Sequence, residues 1–455
     1  MSRTVRRVLR VGFWLLIGGP LSLLLLAGLA YGAYGLWARG SVDETHVAYL
    51  RQHQESALTP DALQFTVFDS AFYRNQLFLL GEAHGCAVPQ QLDFALLRHL
   101  NARAGVRHYA AELDAGQAHS FNEYLRTGDE ANLDAVFDFW SGTAQWGNEE
   151  FFAKLHRIRA LNQTLPAARR IQFLGLDRVQ QVGLSGRYLR EVLAEAGYQL
   201  GTAPALDSLQ AHLRARTDEA DDLLPLVALA RRAARTLPAL PGPAAQPVAA
   251  LLRNLGYLAP RVRRDSVMVL NLAAAYADGQ LTPATKLYGL WGLAHVLQDE
   301  FNHVQTLGGL VRRADVPCRR GVVSLVTFLL DSKMMMPAMA APPFLRPAGR
   351  LSVDVPMSQD GPLVFAPGVR DLAAISQPNT VTLFRLDAPA SPYAHSQRLA
   401  AARAPAFGQT MLPTKPGAAT TDYFQYAVLV RNSAAVRPRP ANGAANGAAN
   451  GAAAR

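Results

Sequence analysis

The feature that most constrains this chain is how its apolar runs end. Residues 77–80, Leu-Phe-Leu-Leu, are uninterruptedly apolar, stop at Gly81, and are followed at once by Glu82 and His84. A short, fully apolar run bounded by glycine reads as a strand buried on both faces, which is the habit of a parallel sheet. Ionisable groups just past such a strand lie at the carboxyl edge of the sheet, where open α/β sheets bind their ligands. Glu82 and His84 are two apart, so an extended backbone turns them to one side.

The same pattern recurs. Residues 90–104 carry Leu92, Leu96, Leu97 and Leu100 at helical spacing and stop at Gly105. Residues 106–111 read as a second strand, with Glu112 at its end. Residues 171–176 form a third strand candidate leading into Asp177 and Arg178. Residues 286–291 form a fourth, followed by Gly292 and His295. Residues 322–330, 380–386 and 426–431 complete the strand candidates. The expected fold class is therefore α/β: a mainly parallel sheet flanked by helices, with strand–helix–strand crossovers. Residues 185–280 contain five helical segments and no strand, which predicts a helical insertion or cap. Residues 41–73 read as an exposed lead-in, residues 137–148 as an aromatic loop over the sheet edge, and residues 333–379 as irregular. The tail, residues 437–455, repeats Ala-Asn-Gly and reads as disordered.

Residues 1–40 read as a membrane signal anchor. Arg3, Arg6, Arg7 and Arg10 precede an uncharged stretch, residues 11–38, longer than the ~20 residues a bilayer requires. The arginines before it, with Asp43 and Glu44 after it, place the N-terminus in the cytoplasm and the remainder on the periplasmic or extracellular side of a single-pass protein. A cleaved signal peptide has a shorter apolar region.

With half its 455 residues apolar, the chain can build a substantial core. The formal charge of +10 comes almost wholly from arginine, the four lysines being Lys154, Lys286, Lys333 and Lys415. These cations are scattered and not interleaved with aromatics, so no nucleic-acid partner is expected. Cys86 and Cys318 are too few for a disulfide framework and read as buried thiols or one bridge.

Convergence of four strand ends predicts one site. Charges are costly to bury unless they pair, so Glu82, His84, Glu112, Asp177, Arg178 and His295 at one edge argue for chemistry: a general-base centre with carboxylates orienting each imidazole, or a metal centre. Trp146 is placed to line the substrate pocket. The G-x-S-x-G nucleophile elbow is absent, since Gly183-Leu184-Ser185-Gly186 fails it, and so is H-E-x-x-H. Water is then the expected nucleophile.

The motifs GEAHG at 81–85, Glu112, Gly175-Leu176-Asp177, Arg264-Asp265 with Met268 and Asn271, and Gly292 to His295 together resemble the erythromycin esterase-like family. That family belongs to a wider group with haem-binding ChaN-like and TraB/Tiki-like proteins. The resemblance spans residues 74–330, within an expected domain of 74–436. It implies hydrolysis of a small-molecule ester or lactone by activated water, with His84 as general base, Glu82 and Glu112 in the constellation, His295 as the second histidine, Asp177 as the third carboxylate, and Arg264 and Asp265 as binding residues. Arg178 or an amide near Gly85 would stabilise the oxyanion. No cofactor is required by that route. The relatives also leave open a metal-dependent peptidase using His84, Glu112 and His295, and a non-catalytic haem- or ligand-binding protein.

Overall fold

The computed structural model describes residues 19–142, 144–215, 223–236, 244–258, 262–341, 343–346, 348–361, 364–403 and 410–441. Its centre is an eight-stranded sheet in the order β1-β9-β10-β6-β2-β5-β3-β4. The strands are β1 Gln54–Ala57, β2 Leu77–Glu82, β3 His108–Ala111, β4 Gln172–Gly175, β5 Leu287–Gly292, β6 Val322–Leu330, β9 Val381–Arg385 and β10 Tyr426–Arg431. From β10 to β4 every pairing is parallel, while β9 and β1 add an antiparallel edge. Helices flank the sheet, so the fold is α/β as the strand pattern predicts.

Residue alternation along β2 shows why its run is apolar throughout. Phe78 and Leu80 enter the core on one face, while Leu77 and Leu79 enter the core on the other. All four are buried, each contributing roughly 1.5–3 kcal/mol. A helix α1, Gly19–Ala38, comes first, then α2, Glu44–Gln52. On the first face lie α3 (Ala87–Ala104), α4 (Ala115–Thr127), α5 (Ala131–Trp140) and α6 (Glu149–Thr164). Gly105, at φ 74°, ends α3 in the left-handed conformation glycine adopts freely. Asp114 starts α4 with a reciprocal capping box to Gln117.

The cap consists of α7 (Val182–Glu195), α8 (Pro204–Ala215), α9 (Leu223–Arg235) and α10 (Ala245–Gly256), with an apolar cluster of its own built on Leu189, Leu206, Leu226 and Leu251. Helix α11, Arg264–Ala277, turns Met268 and Leu272 into the second face of the sheet. Two side-chain amides fasten these helices to the third strand end: Asn254 donates to the Asp177 carbonyl (2.8 Å) and Asn271 to the Leu176 carbonyl (2.8 Å).

The first two strands lie in one parallel sheet, with β5 between β2 and β3. Three expectations change. The lead-in is not exposed: Val47 and Leu50 of α2 are buried and β1 pairs with β9. Phe137, Phe139 and Trp140 belong to α5 rather than to a loop, and Phe137 and Trp140 are buried in the core. Residues 332–357 include a second sheet, the antiparallel pair β7 Ser332–Pro337 and β8 Ser352–Met357. Ordered chain also continues past 436. Arg437 pairs with Glu150, and Arg439 pairs with Asp134 and Glu149 while lying over the Phe152 ring. Residues 442–455 of the expected tail lie outside the described residues, as do residues 11–18 of the expected span. Among the described residues no helix is long and apolar enough to cross a membrane. Cys86 and Cys318 are both buried free thiols, in the cores on opposite faces of the sheet.

Candidate active site

The strand order explains the site. Because β5 separates β2 from β3, its carboxyl end at Gly292 sits between the ends that deliver Glu82 and Glu112. A methyl group on Gly292 would lie 3.0 Å from His84 Nε2, 3.3 Å from Glu112 Oε1 and 3.5 Å from His295 Cδ2. Three side chains from three strand ends therefore converge over one glycine, and a Cβ there would press on the first two of them.

His84 is set by its neighbour two residues back. Its Nδ1 is 3.1 Å from Glu82 Oε1, and its Nε2 faces Gly292. The turn after it needs Gly85, at φ 94°, where a Cβ would strike the Met335 carbonyl. Gln145 clamps the turn from outside, donating to the carbonyls of His84 (3.2 Å) and Met335 (2.7 Å). Trp146 stands edge-on to the His84 ring at 5.2 Å, forming one wall of a small pocket with Trp140, Phe151 and Leu290. Burial alone would lower the His84 pKa. The bond to Glu82 and the charges of Glu112 and Glu82 outweigh it and hold the ring above its usual value. Glu82, buried, is raised by desolvation.

His295 forms a second carboxylate–imidazole pair. Its Nδ1 lies 3.0 Å from Asp265 Oδ1 and its Nε2 3.6 Å from Glu112 Oε2. Burial opposes its charge, but contact with Asp265 and the Glu112 charge prevail, so its pKa is raised. Asp265 is itself steadied by the Leu307 amide (2.7 Å). Glu112 is the hub. Burial disfavours its anion, yet His295, His84, Arg264 and the Gly292 amide together bring its pKa down to about 2. Arg264, at the start of α11, forks between Glu112 (2.8 Å) and Asp177 (2.9 and 3.1 Å).

These contacts redistribute the expected roles. Glu82, His84, Glu112, His295 and Asp265 share one site. Asp177 is fully buried and faces Arg264 and Gln180 (2.7 Å) rather than an imidazole, so it anchors the arginine. Arg178 is exposed. The guanidinium that contacts Glu112 is that of Arg264. The cation of the site is Arg264. Its guanidinium lies against Glu112 Oε2 and both Asp177 oxygens; among the described residues no group of three or more His, Cys, Asp and Glu is arranged to hold a metal ion.

Three solved structures share this fold. A Bacillus cereus protein superposes with a TM-score of 0.63 at 13% identity, over 87% of this chain and 99% of its own. A succinoglycan biosynthesis protein gives 0.59 at 14%, over 88% and 100%. The erythromycin esterase EreC, as a histidine-to-asparagine mutant in its open conformation, gives 0.56 at 15%, over 83% and 96%. No protein-family model and no curated protein matches the sequence. At these identities the likeness establishes the fold relationship to an esterase and leaves the site chemistry to the residues themselves.

Behind Glu82 lies a polar cluster that the strand-end pattern does not disclose. Gln90 Nε2 donates to both Glu82 oxygens (3.0 and 3.2 Å). Lys154 Nζ reaches Gln90 Oε1 (2.8 Å) and Asp93 Oδ2 (2.6 Å). Tyr109 and Tyr288 donate to Asp93 at 2.6 and 2.7 Å. Lys154 is 2% exposed and Asp93 is fully buried. One sequence signal was present: Lys154 shares a helical face with Phe151, Leu155 and Ile158, where a lysine has no place unless it is paired.

Proposed function

We propose that this protein is a hydrolase of the erythromycin esterase type, cleaving an ester or lactone by water activated at His84. The observation that carries the reading is the pairing of Glu82 with His84 Nδ1, which leaves a bare Nε2 aimed at the space above Gly292. That is the geometry of a general base held by a carboxylate. Water placed there loses a proton to Nε2, and its oxygen attacks the carbonyl carbon. The carbonyl electron pair moves to oxygen, where an N–H of the His295 ring serves as donor to the oxyanion. Collapse expels the alkoxide, which takes the proton from His84. Arg264 and Asp265 hold Glu112 and His295 in place, and Trp146 walls the entry. The fold shared with an esterase supports the same reading.

The test is turnover of a panel of simple esters and lactones by the full chain and by His84→Ala. Activity abolished in the variant, with circular dichroism unchanged, upholds the reading; equal rates remove His84 from the role.

We further propose that residues 11–38 anchor the chain in a membrane, with the site on the outer side. The four arginines ahead of the uncharged run support this, as do the exposed Leu21, Leu23, Leu25, Leu26 and Leu29 of α1. Removing residues 1–40 should move the protein from the membrane to the soluble fraction. A full-length chain found entirely in the soluble fraction would end the proposal.

A further inference from the structure

The cluster behind Glu82 is not needed to bury Glu82, for which an apolar wall and a neutral carboxyl would serve. Its donor and acceptor order is directional. Lys154 has three N–H donors and no acceptor, so the Gln90 oxygen must face it at 2.8 Å. The Gln90 nitrogen then necessarily faces Glu82, and it meets both carboxylate oxygens. Glu82, receiving two N–H bonds, is required to be an acceptor, and the remaining bond at Oε1 must be filled by a donor: the Nδ1–H of His84 at 3.1 Å. At the far end Asp93 holds Lys154, with both of its oxygens also taking tyrosine hydroxyls. Burial keeps Tyr109 and Tyr288 protonated, with pKa values well above 10, so they remain donors. Phe151 covers the Lys154 ammonium at 4.0 Å, closing the cluster from solvent.

We propose that Gln90 and Lys154 are positioning residues for the His84 base: a relay from Lys154 through Gln90 and Glu82 fixes His84 as the tautomer with Nε2 bare. The inference rests on the hydrolase reading for its purpose, but its structural content does not depend on turnover. The charged and titratable groups facing the Glu82–His84 pair are Glu112 and His295 at the sheet edge, Arg264 on α11, Lys154 and Asp93 on α6 and α3, Tyr109 and Tyr288 on β3 and β5, and Cys86. Removing the Gln90 amide leaves all of them in place. It withdraws only the two bonds that favour the Glu82 anion, so the pair should take up a proton at higher pH.

The experiment is nitrogen NMR on full-length protein with labelled histidine, in detergent, with His84→Ala to assign the ring. In the unaltered protein above its titration, the His84 Nδ1 must carry the proton; a proton found on Nε2 overturns the relay without any variant. Gln90→Met is then titrated. A midpoint shifted upward by about one pH unit, the equivalent of one charge-assisted hydrogen bond, supports the relay; an unmoved midpoint in a folded variant overturns it. Lys154→Met should move the midpoint in the same direction by less, and Lys154→Arg, which keeps the donor, should move it back toward the original value. If the tautomer and shifts appear but no ester or lactone is turned over, the relay stands and the hydrolase reading falls. If His84-dependent turnover is found with the wrong tautomer, the relay falls and the hydrolase stands.

Discussion

His84 and His295 are built alike and placed differently. Each has a carboxylate on Nδ1, Glu82 at 3.1 Å and Asp265 at 3.0 Å. They differ at the other nitrogen. His295 Nε2 faces the anion of Glu112, so its ring has carboxylates on both sides, which raise its pKa. His84 Nε2 faces the opening over Gly292, and that side chain is 26% exposed against 16% for His295. On the proposed mechanism one architecture serves as a base at His84 and an oxyanion donor at His295, because the group opposite the oriented nitrogen decides which form of the ring is useful.

The largest way to break this comparison is to delete each ring. His84→Ala should lower kcat on any ester substrate by roughly 10²–10⁴, the usual contribution of a positioned base. His295→Gln should cost about 10²–10³, the scale of one oxyanion donor, while keeping the acid limb of the pH–rate profile that His84 sets. Interchanged outcomes would reverse the assignment of base and oxyanion donor. A similar free energy is at stake in Arg264→Met, but in stability. It strips the guanidinium from fully buried Asp177 and from Glu112, and breaking a buried pair costs about 3–5 kcal/mol. Chemical denaturation should register that loss, and a variant as stable as the parent would show that Arg264 serves substrate rather than the fold.

Much of this site was legible because glycine followed by an ionisable group is a rare way to end an apolar strand. Glu82, His84 and His295 were found that way, and Glu112 as the carboxylate that closes the next strand. Strand order was not legible, since neighbours in a parallel sheet are chosen by how crossover helices pack, and nothing in residues 286–292 announces that they run between β2 and β3. Arg178 misled because adjacency in sequence stood in for adjacency in space; Arg264, 87 positions from Asp177, makes the contact instead. Strand β1, Gln-Glu-Ser-Ala, carries no apolar alternation because it is an edge strand, and only pairing with β9 defines it.

Glu112→Gln sharpens the comparison through pH. Its charge raises both imidazoles, so neutralising it lowers them. On the proposed mechanism His84 acts as the neutral ring, and activity rises as pH climbs through its pKa; the acid limb should therefore move down by about one unit in the variant. Stability gives a second reading with its own sign. The folded Glu112 pKa, about 2, lies below its unfolded value near 4.5. Its contribution is thus complete above pH 4.5 and vanishes as pH falls through 2, on the order of 3 kcal/mol. The stability difference between parent and variant should shrink across that window.

Gly292→Ala should have the smallest effect and the most selective one. The backbone there has φ −53°, which alanine accepts without strain. The added methyl would meet His84 Nε2 at 3.0 Å and Glu112 Oε1 at 3.3 Å, contacts that both side chains can relieve by moving a few tenths of an ångström. Little stability is therefore lost. A base displaced from its reacting atom is penalised more steeply than a packed side chain, since a 1 Å misplacement costs ~10²-fold, so about a tenfold fall in kcat is expected. That fall should come with an unchanged unfolding midpoint. Equal losses in both measurements would mean that the glycine serves strand packing alone, and that the convergence of three strand ends over it is a by-product of the fold rather than the reason for it.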